Sequence, residues 1–147
     1  MTVIIYADTF TNDHLEIFKI LVENGINIDH KMWMEPLETF VSVLHVACLK
    51  NNMEAIDFLI ENGAKVDHSA KDFIPILHYV ASEGKLEAAR ALLKHESVRK
   101  NIDIKSKDYN RALGESYNDT PLMQAVSSGH AEVAMLFIGK QTFHNIN

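Results

Sequence analysis

Leu44-His45 recurs 33 residues later as Leu77-His78, and the same place in a further copy is Leu122-Met123, 45 residues beyond that. A period of 33 with one insertion of 12 constrains the architecture more tightly than composition does. Seven residues after each leucine stands Asn51, Gly84 or Gly129. These residue types tolerate the left-handed backbone that ends one helix and turns the chain into the next. Three residues further on come Glu54, Glu87 and Glu132, placed to open a second helix where a carboxylate complements the positive end of its dipole.

After each glutamate the apolar residues fall at one helical spacing. They are Ala55, Ile56, Leu59 and Ile60, then Ala88, Ala89, Leu92 and Leu93, then Val133, Ala134, Phe137 and Ile138. Working backwards, Glu16 takes the glutamate slot of an earlier copy, with Ile17, Phe18, Leu21 and Val22 on the expected buried face. "ENGINID" at 23–29 and "ENGAKVD" at 61–67 then match as helix stop and extended exit, turning at Gly25 and Gly63. Four copies result, at approximately 1–29, 30–67, 68–103 and 104–147, within one 147-residue domain. The first is degenerate: "VIIYADTFT" must supply its first helix and carries none of the pattern.

Leu-His, Asn or Gly, Glu, the paired apolar residues and "ENGAKVD" in register resemble the ankyrin repeat, over almost the whole chain. "DTPLMQAVSSGHAEVAMLFI" at 119–138 keeps Thr120-Pro121-Leu122 and Gly129-His130 but has Met123 where the family has histidine. The resemblance implies an all-α solenoid of about four helix-turn-helix repeats, with first helices as an inner, concave wall, second helices as the back, and loops projecting as fingers. One such unit cannot bury its apolar face alone, so stability is shared between neighbours.

The implied function is protein–protein interaction, as a stoichiometric inhibitor or a host-directed adaptor or effector. The alternative is the targeting or regulatory region of a larger enzyme. A formal charge of −6 opposes a nucleic-acid partner. Cys48 is the single cysteine, which fits an intracellular setting, cytoplasmic or nuclear, and no stretch reads as a signal peptide or membrane span. The free chain is expected to be monomeric. No catalytic, cofactor or metal motif is present: His45 and His78 occupy the repeat's own histidine slot, His14 and His130 read as equivalent turn residues, and no His-x-x-x-His or Cys-x-x-Cys spacing occurs.

Candidate partner-binding residues lie on the fingers and the inner wall. The first finger, enlarged by five residues, holds the only tryptophan, Trp33, beside Met34. The second holds Lys71, Asp72 and Phe73, the aromatic standing where the family has glycine. The third contains the 12-residue insertion with Arg99, Lys100, Lys105, Lys107 and Arg111, and with Tyr109 and Tyr117. On the inner wall the outward slots map to Val46, Leu49 and Lys50, then Tyr79, Ser82 and Glu83, then Gln124, Ser127 and Ser128. Leu49 and Tyr79 stand out as apolar or aromatic where solvent favours polar side chains.

Overall fold

The computed structural model describes residues 11–34, 39–66, 74–105 and 118–145. These residues form α1 (Asn12–Glu23), β1 (Met32–Met34), β2 (Thr39–Val41), α2 (Val43–Leu49), α3 (Met53–Glu61), α4 (Ile76–Glu83), α5 (Leu86–Leu93), α6 (Glu96–Arg99), α7 (Pro121–Ser127) and α8 (Ala131–Asn145). The expected first helix of the first copy falls at 1–10, outside the described residues.

Helices α2, α4 and α7 stack as one row and α3, α5 and α8 as a second, with α2–α3, α4–α5 and α7–α8 as the pairs. This is the all-α helix-turn-helix solenoid that the resemblance implies. Inner-row helices are short and sandwiched, so they are apolar nearly all round: Val43 through Cys48 are buried in α2, and Ile76 through Ala81 in α4. Outer-row helices bury one face. Ala55, Ile56 and Leu59 lie inside α3, and Ala88, Ala89, Leu92 and Leu93 inside α5.

The turns between paired helices have the left-handed residue at the expected slot: Asn51 at φ 50°, Gly84 at 65° and Gly129 at 78°. Asn51 takes this backbone as a non-glycine residue, and its side-chain oxygen accepts from the Ala88 N–H in the next copy at 3.3 Å. Gly84 has a second constraint. A Cβ there would stand 2.5 Å from His130 Nδ1, whereas nothing lies within 4 Å of a Cβ at Gly129.

Both ends of the array depart from the sequence reading. Ile17 is 57% exposed and Ile138 44% exposed, although each occupies a slot expected to be buried. Among the described residues no further copy packs beyond α1 or α8, so the cover that buries Ala55 and Leu93 in the same slots is not seen there. Glu54, Glu87 and Glu132 open their helices, but Glu16 does not open α1, which starts a turn earlier. Thr11 and His14 form a capping box there, with Thr11 Oγ1 2.7 Å from His14 Nδ1. His14 is therefore not equivalent to His130, which precedes α8 and reaches the Ser82 carbonyl at 3.0 Å.

The first finger contains an antiparallel hairpin, β1 with β2, in the register Met32–Val41, Trp33–Phe40 and Met34–Thr39. In the third connection the extra length is taken up partly by α6, a single four-residue turn that buries Val98 and packs against α5. Arg99 donates to the Leu93 and Lys94 carbonyls at 2.9 and 2.7 Å, so its charge sits on the C-terminal end of α5.

Candidate protein-binding surface

The inner wall is aligned by two histidines, one joining the second copy to the third and one joining the third to the fourth. Ser42 caps α2, and His45 at the third helical position closes a reciprocal box: the Ser42 N–H and hydroxyl lie 3.2 and 2.9 Å from His45 Nδ1. His45 Nε2 is 2.7 Å from the Ile74 carbonyl, immediately before the next inner helix. A carbonyl can only accept, so Nε2 carries the proton and Nδ1 receives both Ser42 donors. His78 repeats the outward half of this link, donating from Nε2 to the Asp119 carbonyl at 2.7 Å.

The inward half is missing at His78. Its helix is capped by Pro75, which has neither an N–H nor a hydroxyl, and the buried His78 Nδ1 finds no partner among the described residues. Burial pushes the His78 pKa below its ordinary value, opposed by the bond to the Asp119 backbone and by the Asp119 charge. In the fourth copy the slot is Met123, and Thr120 caps α7 directly by accepting from the Met123 N–H at 3.3 Å, with Pro121 at the first helical position.

Of the inner-wall candidates, Lys50 and Glu83 are exposed and Leu49 and Ser128 half-buried. Tyr79 corrects the sequence reading. It is 1% exposed, because its ring turns into the stack and meets the His45 ring edge-on at 5.2 Å between centroids, and Val46 in the same slot of the second copy is also buried. Tyr79 is a core residue that fills the join between two copies. Part of the polar set is folded back on its own helices: Ser82 and Ser127 donate to the Tyr79 and Gln124 carbonyls, and Gln124 donates to Ser128 Oγ.

Trp33 and Met34 lie on β1, and Trp33 is the register partner of Phe40. Lys71, Asp72, Phe73, Tyr109, Arg111 and Tyr117 fall outside the described residues. Within the basic group, Arg99 is engaged with α5 as described, and Lys100 lies 3.7 Å from Glu96. Sequence reasoning passed over Met123, Val126 and Met135, which are 52, 65 and 67% exposed. Their signal was available: each can be compared, slot by slot, with its counterparts in the earlier copies.

The outer row is tied by polar bridges. Lys19 of α1 contacts Glu16 and also Glu54 of α3, each at 2.7 Å, and its ammonium lies 5.8 Å from the Phe58 ring centroid. His95 Nε2 meets Asp57 Oδ1 of α3 at 2.7 Å. An open groove of about 220 Å³ lies beside Gly84, Leu86, Gly129 and the start of α8, below the ~300–1,000 Å³ usual for small-molecule sites. Among the described residues, no group of three or more His, Cys, Asp or Glu is placed to hold a metal ion, and no helix is long and apolar enough to cross a membrane. Cys48 is buried, and burial raises its thiol pKa far above the ordinary value.

A family model described as ankyrin repeats, three copies, matches residues 44–147. The chain belongs to the ankyrin-repeat family, whose members are generally protein–protein interaction modules built on a non-catalytic fold. No curated protein matches it.

Proposed function

We propose that this chain is a non-enzymatic module that binds another protein through its inner-helix wall and enlarged fingers, acting on that partner stoichiometrically as an inhibitor or adaptor. One observation carries this reading. Within a single chain, the core slots of the inner helices repeat the same small and apolar chemistry, while the slots left at the surface differ from copy to copy. Leu44, Leu77 and Leu122 are one residue type; Lys50, Glu83 and Ser128 are cation, anion and hydroxyl at one position. A scaffold that holds its core and varies its wall can be fitted to a partner without refolding.

The wall presents Leu49 and Lys50, then Glu83, then Ser128, and the first finger adds Trp33 and Met34, tryptophan being enriched at binding hot spots. Lys71, Asp72 and Phe73, with Tyr109, Arg111 and Tyr117, are further candidates by their sequence assignment to the other two fingers. Tyr79 is excluded from it by burial.

The experiment is affinity capture from source-cell lysate with the wild-type chain beside Leu49→Ala/Lys50→Ala and Trp33→Ala, all shown to be folded. A protein retained by the wild type and weakened by either variant is the expected result. Retention unchanged in both variants would remove the wall and the first finger as the site.

A further inference from the structure

Successive copies in this chain stack through two kinds of slot, and their side is fixed by what they touch. Slots that face the following copy include the inner-helix histidine position, since His45 and His78 each reach a carbonyl of the next copy. They also include the outer-helix position of Lys19 and Asp57, which contact Glu54 and His95 of the next copy. The opposite side belongs to the position of Phe58, which lies under Lys19 of the copy before it.

In the fourth copy the following-side slots are filled by Met123 and Met135, where earlier copies have histidines and charged residues. Val126 joins them in the slot of Cys48 and Ala81. Cys48 and Ala81 are fully buried by stacking; Val126 is 65% exposed, Met123 52% and Met135 67%. Here polar slots have become methionine, a side chain that adapts to irregular apolar partners and demands no hydrogen bond from them.

The other end of the array is complementary. On α1, Ile20 occupies the preceding-side slot of Phe58 and Ala91, and Ile17 the slot of Ala55 and Ala88. Ala55, Ala88 and Ala91 are at most 1% exposed, whereas Ile17 is 57% and Ile20 59% exposed. One molecule thus carries a following-side face and a preceding-side face, both apolar, and the contact that joins them is the one that already joins its internal copies.

We propose that a second copy of this chain docks here head to tail, the Met123, Val126 and Met135 face of one molecule stacking on the Ile17 and Ile20 face of the next. The contact is heterologous and leaves a free face at each end of the dimer, so association continues with concentration. It uses slots other than the inner-wall candidates Leu49, Lys50, Glu83 and Ser128, and the expected monomer is the opposing outcome of its test.

Sedimentation velocity on the full chain tests this with two variants, Val126→Lys/Met135→Lys and Ile17→Lys/Ile20→Lys. All four positions are exposed, and far-UV circular dichroism checks that both variants fold. The wild type is expected to grow past the dimer as concentration rises. Each variant alone stays monomeric, since burying an unpaired ammonium weakens association about tenfold or more. An equimolar mixture of the two forms dimers and stops there, because it retains one working face of each kind. A wild type that stays monomeric at millimolar concentration overturns the proposal. So does dimerisation of the Ile17→Lys/Ile20→Lys variant by itself, which would mean that the methionine faces meet each other, and so does a mixture that fails to dimerise.

Discussion

The third and fourth copies are written on one template and occupy opposite circumstances. Leu77 and Ala81 are buried and Gly84 stands against His130, whereas in the same slots of the fourth copy Leu122 is half-buried, Val126 is exposed and nothing lies near a Cβ at Gly129. The slot therefore sets which residue types are acceptable, and the number of neighbours sets how much each one contributes. Identical substitutions at matched slots separate the two effects.

Leu77→Ala removes a side chain that is 1% exposed and is expected to lower stability by ~2–5 kcal/mol, the range for core leucines. Leu122→Ala, at a half-buried position, should cost clearly less. Urea unfolding of the pair decides it, and equal losses would show that neighbour number is not what matters.

The glycines give the next contrast. Alanine at Gly129 meets only the left-handed backbone penalty, ~1–2 kcal/mol. At Gly84 it meets that penalty and the His130 ring, so Gly84→Ala should be the worse of the two and should displace His130 from the Ser82 carbonyl. Similar melting points for the two variants would mean that His130 moves aside at no cost.

The second and third copies differ at the cap, and Pro75→Ser copies Ser42 into the third. It supplies a hydroxyl and an N–H for His78 Nδ1 and should raise stability by ~0.5–1.5 kcal/mol, a typical net hydrogen-bond contribution. A loss would show that proline's restriction of the unfolded chain outweighs the bond.

The smallest effect is the pH response of that histidine. Because burial holds the folded pKa of His78 below 6.5, the unfolded chain takes up the proton first as pH falls. The contribution is full above about 6.5 and is lost as pH drops from there towards the lowered folded value. His78→Gln should flatten this part of the stability profile. An unchanged slope would assign it to another group.

Much of the scaffold was legible because turns and caps are local. Asn51, Gly84 and Gly129 announce their backbone by residue type, and Thr120-Pro121 announces a helix start. Tyr79 was not legible, since its slot holds Val46 in one copy and Gln124 in another, and only the position of the His45 ring decides that a tyrosine there turns inward. Ile17 and Glu16 were misread for a different reason: the pattern of the later copies was extended to the first, where Thr11 and His14 start the helix earlier and Ile17 is exposed. The wall residues Leu49, Lys50, Glu83 and Ser128 were placed by slot alone, which fixes a location on the scaffold and leaves the partner's chemistry unwritten.

Cys48 gives the molecule an internal clock. Its thiol is buried in the second copy and held protonated by that burial, so a thiol reagent reacts only in the moments when α2 parts from its neighbours. As the sole sulfhydryl in the chain, it makes labelling kinetics a direct record of how often this one repeat opens. Comparing that rate with the global unfolding rate would show whether the array breathes copy by copy or opens as one body.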